Sequence, residues 1–482
     1  MRDSSILQEV KDRSAHHAMV GASDAIGLVY VSTDESFDIP YPEVEAIQRR
    51  ALKERFRELA PKIEPLKRLA DRQRIVELDS LDAAAPLLFD HSLYKSYPLA
   101  LLEQNRFDRL TEWLNRLTSH DLSGIDVSKC ETIDGWLDTI EAHSALVCSH
   151  SGGTTGKLSF VPRSRVEMPQ LVKSQLKWFN GYRGEYGTDL EREPEKLPMF
   201  IPGYKKGRYI LQQVLDVAVP LIAGSDDQYY AAYPGAMSAD MQSLAGRLAA
   251  AETKGELGQL QLNPALKARR EEFVRFRERQ PEYMRAYFDN MVDNFKGRRV
   301  FIGGPWTIHL DTAIAGEQRG VSGLFAPNSV MITGGGQKGR VFPPDWYERI
   351  CRFYGVPEIR AGYGMTEMIG YMQECRSHRY HPWPHTVPYL LSPHDGTVLP
   401  RVGRKTGRFA FMDLVAETYW GGLITGDEVT MVWDDPCECG RQGPWIDPPI
   451  RRFGEIRGSD DKISCAGTQD AHDKALEYMK SV

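Results

Sequence analysis

The 482-residue chain, 41% hydrophobic and 26% charged, has an ordinary globular composition. It is too long for one common core, so two or three subdomains are expected. Its formal net charge of −6 excludes a general nucleic-acid binder, which needs a basic face.

No apolar h-region follows Met1, and no uninterrupted apolar run reaches the roughly 20 residues of a membrane span. Seven cysteines, few and odd in number, suit reduced thiols in the cytoplasm better than a disulfide scaffold. Residues 44–76 carry Glu, Arg, Leu and Ala at helical spacing and predict one or two surface helices. The helical pattern returns over 98–142, with Trp113-Leu114 and Trp136-Leu137 as expected core contacts. Ala145-Leu146-Val147-Cys148 reads as a strand running into a Gly/Thr loop. From Met199 to Gly224 apolar runs alternate with turns, as in α/β sequence. The basic run Lys205-Lys206-Gly207-Arg208 suits an anionic small substrate or, more simply, a solvated loop. Glu252 to Lys296 is charged and helical, with a break expected near Gln280-Pro281. Val300-Phe301-Ile302 and Val330-Met331-Ile332 run into glycines, as buried parallel strands opening into ligand loops do. Past Arg401 short strands and turns predict a small β-rich subdomain. The fold class is therefore α/β. A helical region covers about 1–140, parallel-sheet subdomains follow, and the β-rich unit covers about 400–456, with no internal repeat.

The strongest local feature is Ser149-His150-Ser151-Gly152-Gly153-Thr154-Thr155-Gly156-Lys157. Glycines let backbone N–H groups converge on phosphate oxygens, and the hydroxyls of Ser151, Thr154 and Thr155 add donors. It is not a Walker A loop, because Ser151 and Leu158 stand where that motif needs Gly and Ser or Thr. Alone it can also be read as a flexible surface loop. Its partners decide the matter: Ile332-Thr333-Gly334-Gly335-Gly336, then Gly362-Tyr363-Gly364-Met365-Thr366-Glu367, then Leu423-Ile424-Thr425-Gly426-Asp427, and last Ile456-Arg457-Gly458-Ser459-Asp460-Asp461-Lys462.

This order resembles the adenylate-forming superfamily of acyl-CoA synthetases, adenylation domains and luciferases over roughly residues 85–465. Pro436-Cys437-Glu438-Cys439-Gly440-Arg441 is similar to the phenylacetate–CoA ligase-like branch, with bacterial acyl-protein synthetases nearby. The resemblance implies a large adenylate-forming domain and ATP-dependent activation of a carboxylic acid as its acyl-adenylate, with release of pyrophosphate. Ser151, Gly152, Gly153, Thr154, Thr155, Gly156 and Lys157 would hold the β- and γ-phosphates. Gly334, Gly335 and Gly336 would let adenine lie against bare backbone, with Tyr363, beside Gly364 and Met365, over its other face. Thr366 would donate to the α-phosphate, and Glu367 would hold Mg²⁺, an oxygen-seeking ion. With Lys157 these two form the implied catalytic set. Asp427 would accept from the ribose hydroxyls, with Arg457 beside it. The substrate carboxylate is itself the nucleophile, so catalysis is positioning and charge stabilisation. The absence of Gly-x-Ser-x-Gly agrees.

Cys375, His381, Cys437 and Cys439 are thiolate and imidazole ligands suited to structural Zn²⁺, with His378 an alternative to His381. Buried thiols with a surface histidine would give the same pattern. Four departures from the family stand out. The phosphate loop has an extra Gly; Lys157 directly follows Gly156, while Ser159 holds the usual lysine position; Arg457 precedes Gly458 instead of following it. The resemblance implies that residues 457–482 are only a hinge and a vestigial C-terminal segment where relatives carry a lid, and neither Lys474 nor Lys480 lies in a motif. For the acid, Tyr204 and Lys205, with Trp306 and His309, are the expected wall, favouring an aryl acid by stacking; Tyr229, Tyr230 and Tyr233 read as packing. The acyl acceptor expected first is coenzyme A. An amine, hydroxyl or carrier-protein thiol, an inactive nucleotide-binding protein, and a homodimer all stay open.

Overall fold

The computed structural model describes residues 4–20, 23–152, 157–185, 196–255, 264–336 and 340–453. Helices come first: α1 (Ser4–Val20), α2 (Gly27–Tyr30), α3 (Thr33–Asp38), α4 (Tyr41–Leu59) and α5 (Glu64–Gln73). The stretch 44–76 is thus two helices. Pro61 cannot extend α4, and Pro65 sits in the first turn of α5, where its missing N–H costs nothing. After β1 (Phe89–Asp90) come α6 (Ala100–Glu103), α7 (Phe107–Asn115) and α8 (Ile133–His143). Leu114, Trp136 and Leu137 are buried as expected, while Trp113 is half-buried and donates its Nε1–H to Ser96 Oγ at 3.0 Å.

A two-strand hairpin, β2 (Ser149–His150) and β3 (Phe160–Val161), follows. It begins after the apolar run 145–148, which makes only a bridge from Leu146 to Ser164 and a hydrogen bond from Val147 N–H to the Arg163 carbonyl. Next are α9 (Met168–Asn180), β4 (Met199–Gly207), α10 (Ile210–Ile222), β5 (Tyr229–Met237), α11 (Ala239–Lys254), α12 (Pro264–Ala268) and α13 (Arg270–Asn294). The expected break at Pro281 does not occur. Proline removes one hydrogen bond, but the burial of Tyr287, Phe288 and Met291 carries α13 through. The interruption falls earlier, at Gly255, whose φ of +72° closes α11 in the left-handed region.

The main sheet is completed by β6 (Phe301–Pro305), α14 (Trp306–Gln318), β7 (Val330–Gly334), α15 (Trp346–Tyr354), β8 (Arg360–Tyr363) and β9 (Met372–Gln373). Its order is β5-β4-β6-β7-β8-β9, parallel except for β9. A second sheet contains β10 (Thr386–Leu391), β11 (Arg404–Asp413), β12 (Gly422–Val432) and β13 (Trp445–Arg452). It starts earlier than Arg401 and recruits β1 from the helical region as a parallel edge beside β12, pairing Phe89 with Leu423. In β12 buried and half-buried residues alternate, the period of a strand with one core face.

Two helix starts exchange carboxylates. Asp240 of α11 accepts from the N–H groups of Ile133 (2.8 Å) and Asp134 (3.0 Å) at the start of α8. Asp134 in return accepts from Ser238 Oγ (2.6 Å) and Ala239 N–H (2.9 Å) at the start of α11. Each carboxylate satisfies the other helix's orphan donors. Burial first, and the Asp134 charge second, push Asp240 up to about 7. A carboxyl raised on folding adds stability that is complete below its unfolded value near 4 and is lost as pH climbs through about 7. Asp240→Asn has no such proton to lose. The melting temperature of the unmodified protein minus that of the variant is therefore expected to fall between pH 4 and 7; a difference constant with pH would contradict this.

Candidate active site

The carboxyl ends of β4, β6, β7 and β8 face β12 and β13 across a cavity of about 2300 Å³. Open parallel sheets bind ligands at these ends. Ser151 and Gly152, Gly334 to Gly336, Tyr363 to Glu367, and Thr425 to Asp427 all line this one cavity. The sequence motifs thus converge.

Ser151 opens the loop between β2 and β3, accepting from Ser159 N–H through its Oγ (2.9 Å) while its own N–H donates to the Ser159 carbonyl (3.1 Å). Gly153, Thr154, Thr155 and Gly156 lie outside the described residues, as does Arg457. Lys157 turns from the cavity. Its ammonium donates to the Tyr97 carbonyl at 2.8 Å, and burial lowers its pKa. The position three after Gly156 is the one that reaches the lining, as Ser159. Among the described residues, the lysine that lines the cavity is Lys95, beside His91.

Gly335 (φ +80°) and Gly336 (φ +58°) make the turn after β7 in the left-handed region. A Cβ on Gly364 would lie 2.3 Å from Tyr371 Cδ1, so the chain there can approach only as glycine. Thr366 is buried, and its carbonyl accepts from Nη2 of Arg163, a fully buried arginine whose guanidinium lies 5.7 Å over the Tyr419 ring. Three residues on, Ile369 N–H donates to Asp413 Oδ2 (2.6 Å), whose other oxygen accepts from Thr386 Oγ1 (2.7 Å). Burial pushes Asp413 up to about 6, with the Ile369 and Thr386 hydrogen bonds pulling the other way.

Asp427 is 3% exposed. Its Oδ2 accepts from Tyr363 Oη (2.8 Å) and its Oδ1 from Arg452 Nε (2.9 Å). Each carboxylate oxygen keeps a second lone pair, enough for two hydroxyl donors. The cation beside this carboxylate among the described residues is Arg452 on β13.

Behind the cleft, Cys375, His381, Cys437 and Cys439 bring their ligand atoms within 4.8 Å of one another, all four buried. Cys375 Sγ lies 3.9 Å from Cys437 Sγ, and Cys439 Sγ lies 3.4 Å from His381 Nε2. Tetrahedral Zn²⁺ with bonds of about 2.3 Å to sulfur and about 2.0 Å to nitrogen needs separations of roughly 3.8 and 3.5 Å. A disulfide needs about 2.05 Å. The donor set therefore fits the metal. His378 does not join it, because its ring turns outward to Glu374 at 3.0 Å. Arg441 reaches Cys439 Sγ (3.6 Å) and pairs with buried Glu185 (2.7 Å). Hydrogen bonds from Cys375 and Cys437 hold the Cys439 thiol far below its ordinary pKa.

No protein-family model and no curated protein sequence matches the chain. Among solved structures it is similar to 2-hydroxyisobutyryl-CoA ligase in an open conformation with 2-HIB-AMP and CoA. That similarity has a TM-score of 0.50 at 11% identity, over 87% of this chain and 71% of that one. The same ligase in the thioesterification state, with the same two ligands, gives 0.51 at 12% identity, over 86% and 69%. The chain has the fold of this ligase.

Among the four residues expected to wall the acid the outcomes divide. Tyr204 and Trp306 line the cavity, but the Tyr204 ring is stacked on Phe276 (5.5 Å), and Trp306 meets Trp346 edge-on (4.8 Å). Lys205 is not on the lining; its ammonium pairs with Asp226 at 3.2 Å. His309 is a core residue, 1% exposed, with Nδ1 3.1 Å from Tyr354 Oη, and burial pushes it down to about 4. On α14 it falls on the face turned to α15, which its distance from Trp306 in sequence could not reveal. Tyr229, Tyr230 and Tyr233 pack as expected, although Tyr233 also touches the cavity.

Sequence reading missed Lys95, Arg163, Asp413 and Arg452, none of which stands in a motif. Lys95→Ala is expected to weaken ATP binding about tenfold, the loss of one charge-assisted contact in a wet cleft. Lys157→Ala should change it less than twofold. Calorimetry with ATP in which the two variants rank the other way would return the phosphate contact to Lys157.

Proposed function

We propose that this protein uses ATP and Mg²⁺ to convert a carboxylic acid to its acyl-adenylate, releasing pyrophosphate, and then passes the acyl group to the thiol of coenzyme A. The observation that carries the reading is the shared cavity of Ser151, Gly334, Thr366, Glu367 and Asp427. The ligase of similar fold, solved with an acyl-AMP and CoA, supports the same chemistry.

Asp427 fixes the ribose, and the β2–β3 loop, with Lys95, takes the phosphates. These anchors hold the α-phosphorus still while the carboxylate attacks it in line. Negative charge grows on the α-phosphate oxygens, where the Thr366 hydroxyl donates. Glu367 would hold Mg²⁺, which neutralises phosphate charge and eases departure of pyrophosphate. The thiol sulfur of coenzyme A then attacks the acyl carbon and AMP leaves. Tyr204 and Trp306, which spoke for an aryl acid, are engaged with their own neighbours.

The Cys375, His381, Cys437 and Cys439 set is what supports a structural Zn²⁺, and with it the phenylacetate–CoA ligase-like branch. That ion would tie the segment after β9 to the loop between β12 and β13.

Acid-dependent exchange of labelled pyrophosphate into ATP tests the reading, run with and without coenzyme A. Exchange is expected, with thioester formed when coenzyme A is present, and Glu367→Gln should lower it on the order of 10²–10³-fold. Exchange without thioester would move the acyl group to an amine, hydroxyl or protein thiol. No exchange with any acid would leave a nucleotide-binding protein without catalysis. Elemental analysis of unchelated protein should give one zinc per chain, and chelation should weaken ATP binding; protein free of zinc would sink the metal assignment.

A further inference from the structure

The cavity is more than twice the roughly 300–1000 Å³ that houses a drug-sized ligand, and beyond the nucleotide motifs its lining takes in α13 and α14. It runs between α13 and α14. Met284, Phe288 and Met291 line it from one face of α13, and Ile308, Thr312 and Ala315 from one face of α14, at the three- and four-residue spacing of a helix side. The opposite face of α14 is fully used: a Cβ on Gly316 would lie 2.1 Å from Phe353, so α14 sits hard against α15. Trp306 and the side-chain-free Gly303 and Gly304 mark where this trough joins the adenylation site. Arg319, one residue past the end of α14, also lines the cavity, pairing with Asp289 at 2.6 Å and lying 4.8 Å over the Phe288 ring. At the rim Asp311 is neutralised by Arg340 at 2.8 Å. On these walls the Thr312 hydroxyl is already donated to the Ile308 carbonyl at 2.7 Å, and the exposed Arg285 of α13 also reaches the lining.

We propose that the trough holds the tail of the acid, making the substrate a long straight-chain carboxylic acid and not a single-ring aryl acid. The inference rests on the adenylation reading above. From Ile308 to Arg319 the helix rises about 17 Å. A zigzag of 1.5 Å C–C bonds advances about 1.3 Å per carbon, so the trough accepts a chain of about a dozen carbons. Each methylene leaves water for a wall rich in methyl, thioether and aromatic groups.

Pyrophosphate exchange over straight-chain acids of two to sixteen carbons, alongside benzoate and phenylacetate, tests it. The specificity kcat/KM is expected to rise about fourfold per methylene between four and ten carbons, and to level off near twelve. Ala315→Phe and, separately, Thr312→Phe should each lower the dodecanoate-to-butyrate ratio at least tenfold, with calorimetric ATP binding as the check that each is folded. A best acid of four carbons or fewer, an aryl acid ahead of every straight-chain acid, or ratios unmoved in folded variants would overturn the proposal while leaving adenylation standing. No exchange with any acid would bring down the adenylation reading and this one with it.

Discussion

The site depends on how one short stretch of backbone is held. The turn that carries Thr366 and Glu367 is gripped at its start by the buried guanidinium of Arg163 and, three residues later, by the buried carboxylate of Asp413. Both grip main-chain atoms, so neither bond uses the side chains of Thr366 and Glu367, two residues that line the cavity. A buried charge is stable only among partners, and removing one typically costs about 3–5 kcal/mol. The arrangement therefore has two settings, assembled or broken, and little between. Donors fixed in advance are what an electrostatic transition state requires.

The cleft itself is a seam between two sheets. On the near side Tyr363 of β8 donates to Asp427 of β12. Further back Tyr380 bridges to Ile446 of β13, and the cysteine–histidine cluster joins the segment after β9 to the loop after β12. The seam is thus stitched at several depths by residues between 363 and 452. A similar logic sets the helical region: buried Glu167 accepts from the N–H groups of Ser164, Glu417 and Thr418, tying the start of α9 to the second sheet.

Much of this was legible in the sequence, for identifiable reasons. Glycine runs after apolar strands marked β6 and β7 because a buried parallel strand leaves no polar face. The Thr366-Glu367 and Asp427 segments were legible because ligand-facing backbone demands particular residue types. The rest was not, because it depends on which distant residues meet. Arg163 follows an unremarkable Phe-Val-Pro, and nothing local says that it will lie under residue 366. Lys157 looked like the phosphate lysine, yet its position in the loop sends it to Tyr97, while Lys95 arrives from a stretch with no pattern. Pro281 signals a break that tertiary burial overrides. The start of the second sheet at Thr386, and its use of Phe89, could not be seen because two residues of strand carry no periodicity.

That edge strand has a consequence for how the protein is made. Phe89 and Asp90 pair with Leu423 and Ile424, Trp420 donates to the Leu87 carbonyl, and Tyr389 donates to that of Leu81. A ribosome adding about 5–20 residues per second needs roughly 17–70 seconds to travel from one partner to the other. Throughout that interval Leu81, Leu87 and Phe89 lack these partners, so this edge of the second sheet can close only after residue 424 has been made.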